Sequence, residues 1–252
     1  MKNLGKYVEA ITGAQTTQEA FDFFCDAMRE QGYDRITYSL VNDHPSLNLP
    51  SQHGLATSYP EDWMHYYATH NYTLVDPVTQ RVLSSRTPFF WSDITAKLHR
   101  LSPSHRMMDE AGDAGLGEGI GISLRGQGTE LVGVGIARAA PMSAQAEPQD
   151  YAFLGSAAFL STCLHETFRD LTVKSARAAF TDRERDVLSW AAEGKTDEEI
   201  GCILGIAENT IRYYWKNITR KLGVTGRTYA LIKALRQGII EPATMRSPYR
   251  KR

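Results

Sequence analysis

The sequence predicts an α+β protein with two domains, an N-terminal α/β/α sandwich around an antiparallel sheet and an all-α C-terminal domain. Three observations lead to this prediction. The chain has 252 residues, which is long for one domain, since domains cluster near ~100–150 residues. Its first part mixes extended and helical patterns, whereas residues 180–252 carry helix signals alone. A long apolar stripe of helical spacing separates the two parts.

Three segments of the N-terminal part predict strands because they are rich in aliphatic and β-branched residues. They span residues 35–41, 119–124 and 131–137. The glycine-containing segment 125–129 predicts a hairpin turn, and therefore antiparallel pairing, between the last two strands. Helical stretches precede and follow the strands, so we expect helices on both faces of the sheet.

The apolar stripe predicts a helix over residues 149–171. Its positions are Phe153, Ala157, Leu160, Leu164, Phe168 and Leu171. A small and polar stretch follows, and we interpret residues 173–179 as a linker. The predicted domains are therefore residues 1–172 and 180–252.

Charge is distributed unevenly between these parts. Residues 173–252 contain 16 Lys and Arg against 9 Asp and Glu, a balance of +7, whereas the first 172 residues have a balance of -8. A basic part beside an acidic one indicates a polyanionic partner for the basic part. Its last seven residues, 246–252, add four positive charges, and we expect them to be a frayed end.

Composition indicates an ordinary globular protein of the cytoplasm. Hydrophobic residues make up 42% and charged residues 23% of the chain. The N-terminus lacks a signal peptide pattern, and no apolar run reaches the ~20 residues of a membrane span. The cysteines, Cys25, Cys163 and Cys202, are odd in number and widely spaced, which argues against disulfides and zinc sites and fits a reducing compartment.

The C-terminal domain opens with two capping boxes. Thr181 and Glu184 form the first, and Thr196 and Glu199 form the second, because a hydroxyl and a carboxylate three residues apart satisfy the free amides of a helix start. Glycines end both helices, and a longer helix is predicted over residues 208–222. This order is the helix-turn-helix pattern, in which the longer helix enters the major groove of DNA.

The predicted recognition helix separates its residues by face. Ile211, Trp215, Ile218 and Leu222 recur at core spacing and should point inward. The predicted DNA-binding residues are Asn209, Thr210, Arg212, Tyr213, Lys216 and Arg220. Basic and amide side chains on one face suit phosphate and base contacts. The alternative is a solvated amphipathic helix. A fourth helix over residues 228–237 could close the small core or supply a dimer seam.

These residues resemble the DNA-binding domain of LuxR-type regulators. The resemblance is carried by Glu184, Leu188, the segment Gly-Lys-Thr-Asp-Glu-Glu-Ile-Gly at 194–201 and Asn-Thr-Ile-Arg at 209–212. It implies binding to double-stranded DNA, and the same domain also occurs in response regulators. One departure is Ala207, where a serine is usual; the weaker cap costs about 1 kcal/mol at most.

Aromatic residues concentrate in residues 59–91, which hold eight of the 25 aromatics of the chain. Trp63 and Tyr67 share a helix face, so the cluster predicts either core packing or a pocket. Asp76 and Pro77 predict a helix start, with the carboxylate as cap and proline in the first turn. A carboxylate can accept from a backbone amide and from a ligand together.

The order and spacing of Tyr59, Trp63, Tyr67, Asp76 and Trp91 are similar to those of the acyl-homoserine-lactone-binding domain of LuxR-type quorum-sensing receptors. The resemblance implies that Trp63 donates to the lactone carbonyl, that Tyr59 donates to the acyl carbonyl and that Asp76 accepts the amide N–H. Tyr67 and Trp91 would wall the ring and tail. No cofactor is implied beyond this ligand.

Gly135 departs from that pattern, because many relatives carry a Ser or Thr hydroxyl there. We therefore expect the head-group contact to be missing or to move elsewhere, with Gly135 lining the pocket and freeing volume nearby. Burying Asp76 without a partner would be costly, so we also expect the empty receptor to be poorly stable and ligand binding to stabilise it.

Together these features predict a cytoplasmic transcription factor that binds an acyl-homoserine lactone and, as a homodimer, palindromic DNA with half-sites about one helical turn apart. Enzyme classes are disfavoured, since the histidines form no metal motif and residues 115–121 do not match a dinucleotide-binding loop. The regular strand–helix alternation of a receiver domain is also absent. One alternative remains open: a regulator of this fold that senses another small molecule, or none.

Overall fold

The computed structural model describes residues 1, 3–42, 52–125, 131–139 and 148–241. The chain forms two compact units, Met1–Phe168 and Arg169–Arg252. Most of the predicted hairpin turn, residues 126–129, and the basic end at 246–252 lie outside the described residues. No helix in the described part of the chain is both long enough and apolar enough to cross a membrane.

The first unit is built on a sheet whose described strands are all antiparallel. They are β1 (Arg35–Asn42), β2 (Gln52–Thr57), β3 (Phe89–Phe90), β4 (Glu118–Arg125) and β5 (Leu131–Arg138), in the order β2-β1-β5-β4-β3. The three predicted strands are confirmed to within one residue at each end. Strands β2 and β3 were not predicted, because half of the β2 residues are polar and β3 has only two residues.

Helices cover both faces of this sheet. They are α1 (Leu4–Gly13), α2 (Thr17–Arg29), α3 (Glu61–Thr69), α4 (Pro77–Ser84), α5 (Ser92–Thr95), α6 (Pro103–Asp113) and α7 (Pro148–Ala178). One apolar cluster joins the sheet to α1, α2 and α7, and another joins it to α3, α4 and α6. The predicted α/β/α sandwich is confirmed.

The two faces of the sheet differ in side-chain size. Successive residues of a strand point to opposite faces, and here the large ones face α1, α2 and α7, where Ile36, Ile122 and Ile136 belong to the main core. The opposite face carries small residues. These are Thr37 and Ser39 of β1, Gly119, Gly121 and Ser123 of β4, and Gly133 and Gly135 of β5.

Aromatic rings lie directly on this small-residue face. A Cβ atom added to Gly119 would lie 2.8 Å from the Trp91 indole, and one added to Gly121 would overlap the ring of Phe89, its partner on β3. Real Cβ atoms do not approach other atoms so closely. The glycines therefore set the distance at which the aromatic layer packs on the sheet.

The long helix α7 continues past its predicted end at Leu171, as far as Ala178. The predicted linker is therefore helical over most of its length. Alanine, lysine and arginine favour helix, and residues 172–178 contain neither glycine nor proline to stop it. The division between the two compact units falls within this helix.

The second unit contains α8 (Asp182–Ala192), α9 (Asp197–Leu204), α10 (Glu208–Leu222) and α11 (Arg227–Arg236). Both predicted capping boxes form, at Thr181 and at Thr196. Gly205 ends α9 in the left-handed conformation, with φ 67°, which glycine adopts without the cost of a Cβ. The apolar sides of all four helices meet in one core, which confirms the helix-turn-helix arrangement.

We predict that Gly121→Ala destabilises the protein by about 1–3 kcal/mol, the range for overpacked interiors. The added methyl would overlap Phe89 and displace the ring from the sheet. Urea unfolding followed by tryptophan fluorescence measures the change. The matched control is Gly5→Ala in α1, where nothing lies within 4 Å of the added atom. Equal stability of the two variants would show that the ring does not depend on Gly121.

Candidate functional site

A cavity of about 60 Å³ lies between the small-residue face of the sheet and helices α3, α4 and α6. One water molecule requires only about 10–15 Å³ of such space. All six residues predicted for ligand binding line this cavity. They are Tyr59, Trp63, Tyr67, Asp76, Trp91 and Gly135.

Asp76 begins helix α4 and is buried, with 6% of its surface exposed. Its Oδ1 accepts from the backbone amides of Val78 and Thr79, at 2.8 and 3.2 Å. Its Oδ2 accepts from the Tyr67 hydroxyl at 2.9 Å and from the Thr79 hydroxyl at 2.7 Å. The expectation that the empty pocket leaves this carboxylate without partners is therefore wrong. Oδ1 caps the helix, and Oδ2 accepts from the two hydroxyls.

Tyr67 holds the carboxylate in place through this hydrogen bond, in addition to walling the cavity. Burial, and secondarily the charge of Asp76, raise the pKa of Tyr67 far above its ordinary value. Burial followed by the Asp76 charge also raises the pKa of Tyr59. Both phenols therefore remain protonated at neutral pH and can donate a hydrogen bond.

Tyr59 occupies the space beside Gly135. Its Oη would lie 2.7 Å from a Cβ atom at that position. We expected Gly135 to free volume near the head group, and this is wrong, because the Tyr59 hydroxyl fills the place that a larger residue would take. The contact expected from a strand hydroxyl can instead come from the Tyr59 hydroxyl, which belongs to the segment before α3.

Two tryptophans supply further donors. Trp63 of α3 is 5% exposed and packs edge-on against Tyr67, with ring centroids 6.1 Å apart. Trp91 is also 5% exposed, and its Nε1–H is buried with no hydrogen-bond partner among the described residues. Buried donors are normally paired, so this N–H is available to a group bound in the cavity.

Sequence reasoning missed several cavity residues. Thr37 and Ser39 line the cavity from β1, and Thr79 lines it from α4. The alternation within residues 35–41 places Thr37 and Ser39 on one face, but it does not show which face meets a cavity. Val78, Val82, Met107, Met108 and Leu116 form an apolar wall; their spacing is that of ordinary core residues.

The predicted DNA-contacting residues share the outer face of α10. Asn209, Arg212, Tyr213, Lys216 and Arg220 are exposed, and Thr210 is partly exposed. Arg212 pairs with Glu208 of the preceding turn at 2.6 Å. The N-terminal residue Ala207 makes no side-chain cap, as predicted.

Charged side chains of α9 and α11 contact the inner side of α10. Trp215 is partly buried, as its spacing predicts, and its Nε1 donates to Asp197 of α9 at 3.0 Å. Arg227 of α11 donates to the same carboxylate at 2.7 Å and lies over the Trp215 ring. These contacts fix the angle between α9 and α10, on which groove insertion depends.

Lys221 connects α10 to α8. Its ammonium donates to Glu184 at 2.6 Å, and the Glu184 side chain is only 4% exposed. Burial alone would raise the pKa of Glu184, but the hydrogen bonds from Lys221 and Thr181 outweigh burial and hold the pKa below its ordinary value.

A domain with a partly polar cavity followed by a helix-turn-helix domain defines a ligand-responsive transcription factor. Comparison with known families supports both halves. The family model described as the autoinducer binding domain matches residues 16–168, and that of the luxR family of bacterial regulatory proteins matches residues 178–234. The chain belongs to the LuxR family of autoinducer-binding transcriptional regulators, whose members are not enzymes.

Individual relatives agree with this assignment. The chain is 32% identical over 220 residues to the transcriptional activator PhzR of Pseudomonas fluorescens, covering 85% of this chain and 86% of the relative. It is 34% identical over 189 residues to the quorum-sensing-dependent regulator RpaR of Rhodopseudomonas palustris, covering 74% of each. The crystal structure of SdiA of Escherichia coli shares the fold, with a TM-score of 0.69 at 23% identity over 94% of this chain and 98% of that one.

We predict that Lys221→Met destabilises the C-terminal unit by about 1–3 kcal/mol at neutral pH, because Glu184 would stay buried without its cation. The native pKa of Glu184 is lowered, so this contribution is present above its unfolded pKa and is lost as pH falls through the folded pKa. Urea unfolding at neutral and acid pH measures the difference from the native chain, which should shrink in acid. Lys216→Met, at an exposed site on the same helix, is the control. A deficit independent of pH would exclude this ion pair as its source.

Proposed function

We propose that the N-terminal domain binds an acyl-homoserine lactone. The observation that carries the proposal is the convergence of donors and a carboxylate acceptor on a cavity whose remaining lining is mostly apolar. Trp63 and Tyr59 offer donors, Asp76 is the acceptor, and the remaining wall is mostly aliphatic. A ligand with one amide N–H, two carbonyls and an apolar tail matches this set. Small-molecule sites combine few polar groups with an apolar lining in this way.

The proposed contacts follow from the chemistry of each group. The indole N–H of Trp63 donates to the lactone carbonyl, and the phenol of Tyr59 donates to the acyl carbonyl. Asp76 accepts the amide N–H at Oδ2. This oxygen already accepts from two hydroxyls, and a hydroxyl can rotate to another acceptor. We propose that the Thr79 hydroxyl gives way to the ligand while Tyr67 keeps the carboxylate oriented.

The C-terminal domain is proposed to bind palindromic DNA as a homodimer in the bacterial cytoplasm. The exposed basic face of α10 supports groove binding, and its connections to α8, α9 and α11 hold that face in one orientation. Two recognition helices would reach half-sites about one helical turn apart. A ligand that binds only the folded N-terminal domain stabilises it by mass action. Such stabilisation would raise the concentration of dimer able to bind DNA.

A second candidate ligand is another acylated polar molecule. One solved structure with this fold is SdiA in complex with octanoyl-rac-glycerol, at a TM-score of 0.66 and 21% identity. An ester of this kind has carbonyl and hydroxyl oxygens but no amide N–H. With such a ligand, Asp76 would accept a hydrogen bond from a hydroxyl of the glycerol.

Mass spectrometry of the purified full chain distinguishes these candidates. The protein is produced in cells supplied with acyl-homoserine lactones of several chain lengths, and in parallel with octanoyl-rac-glycerol. A lactone recovered in stoichiometric amount supports the proposal. Recovery of the glycerol ester alone supports the second candidate, and recovery of neither contradicts both.

We predict that Asp76→Asn abolishes the response to lactone while largely preserving the fold. Asparagine still caps α4, but its amide nitrogen cannot accept the ligand N–H. The measurement is ligand-induced thermal stabilisation of the full chain together with activity of a reporter promoter. Asp62→Asn, at an exposed position in the first turn of α3, should respond like the native chain. A full response from Asp76→Asn would refute the acceptor role.

We predict that Arg212→Ala weakens binding to operator DNA and lowers the salt dependence of that binding. Each phosphate contact contributes about 0.9 to the slope of log K against log salt concentration, so the slope should fall by about one. Electrophoretic mobility shifts across a salt series measure it. Arg183→Ala, at an exposed position of α8, is the control. An unchanged affinity and slope would show that the outer face of α10 is misassigned.

A further inference from the structure

The outer face of α10 is not uniformly basic. Near the start of the helix its exposed residues include two neutral ones, Asn209 and Tyr213, which we call the neutral pair. The Tyr213 side chain is prominent, with 61% of the residue exposed. The cations Lys216 and Arg220 lie on the same face about two and three turns beyond Asn209. Neutral and charged groups are therefore separated along the helix.

The neutral pair lies in the part of a recognition helix that reaches base edges. In helix-turn-helix complexes, the N-terminal residues of the recognition helix contact the bases. Since α10 begins at Glu208, Asn209 and Tyr213 lie in its first two turns. Residues four apart share one helix face and are about 6 Å apart along the axis. Because base pairs are stacked about 3.4 Å apart, the two side chains can reach base pairs about two steps apart.

The arginines of this face are engaged within their own helix. Arg212 donates to Glu208 at 2.6 Å, and Arg220 donates to Asn217 at 3.0 Å. Each guanidinium therefore has fewer N–H groups left for the two-point contact with guanine that arginine can make. Their positive charges still attract phosphates, which is the role of Arg212 in the prediction above.

The Tyr213 ring is supported by its neighbour Tyr214. The two ring centroids are 6.2 Å apart, with the ring planes inclined at 60°, and Tyr214 is partly buried against the core of the second unit. This contact restricts the Tyr213 ring without covering it. A side chain that is already restricted loses less conformational entropy on binding. Its exposed ring suits the thymine methyl group, which is the apolar substituent that a base pair presents in the major groove.

We propose that the neutral pair reads A·T base pairs in each half-site, with the Asn209 amide bonding an adenine and the Tyr213 ring packing against a thymine methyl group. The inference rests on the proposed binding of α10 in the major groove and specifies the DNA sequence within it. A carboxamide both donates and accepts, which matches N7 and the N6 amino group of adenine. Guanine presents two acceptors at these places, and cytosine lacks the methyl group.

The test starts by selecting duplexes from a randomised pool. The full chain is purified from cells supplied with acyl-homoserine lactones and, in parallel, from cells without them. Both half-sites of the selected duplexes should contain A·T pairs about two steps apart. In one half-site of a selected duplex, 7-deazaadenine then replaces adenine and removes the N7 acceptor, or uracil replaces thymine and removes the methyl group. Mobility shifts measure each affinity at one salt concentration, because salt changes all of them.

Each modified base should weaken binding of the native chain. The expected loss is about three- to tenfold for 7-deazaadenine, the effect of one hydrogen bond, and about fourfold for uracil, the effect of one methyl group. In Asn209→Ala the loss caused by 7-deazaadenine should disappear. In Tyr213→Ala the loss caused by uracil should disappear, whereas Tyr213→Phe keeps the ring and should keep that loss.

Lys216→Ala is the comparison variant on the same face. It should weaken binding to the unmodified and modified duplexes equally and lower the salt slope by about one, while both losses persist. Selected half-sites without A·T pairs, or a loss that persists in Asn209→Ala or Tyr213→Ala, overturn the inference while leaving DNA binding intact. Failure of both preparations to select any duplex overturns the proposed DNA binding and this inference with it.

Discussion

The packing of aromatic rings on a sheet face made of small residues is the constraint on which the first domain depends. Glycines of β4 and β5 allow Trp91, Phe89 and Tyr59 to lie closer to the backbone than a methyl group permits. The rings then serve as both core and cavity wall, which resolves the choice between core and pocket that the aromatic spacing left open. The cavity exists because one face of the sheet is small while the other, with its isoleucines and valines, packs as an ordinary core.

Much of the fold could be predicted from sequence because its signals are local. The capping boxes, the long strands and the limits of α10 each depend on a few neighbouring residues. The end of α7 was misplaced because polarity was taken as the mark of a linker, although alanine and arginine favour helix. The strand β3 was missed because two residues carry no periodicity, and its pairing with β4 arises only in the folded chain.

The candidate site was predicted less completely, and the reason is again physical. Resemblance located six residues that share one cavity, but it could not give their contacts with one another. Two such contacts are the Tyr59 hydroxyl beside Gly135 and the hydrogen bond from Thr79 to Asp76. They depend on distances between elements far apart in sequence or on the rotation of one side chain. The orientation of Thr37 and Ser39 likewise depends on which face of β1 meets the helices, which periodicity leaves undetermined.

Both domains place a carboxylate at the N-terminal end of a helix and use it to hold a second element, since the helix N-terminus favours negative charge. The partners differ between the domains. Glu184 binds the cation Lys221, and Asp197 binds the cation Arg227. Removing one partner of either pair would leave the other charge unpaired. These ion pairs hold α10 in place. Asp76 is held instead by neutral hydroxyls and amides. A ligand N–H can replace one of these without leaving an unpaired charge. A carboxylate at a helix start therefore fixes the helices of the C-terminal domain, whereas in the N-terminal domain it makes a contact that a ligand can replace.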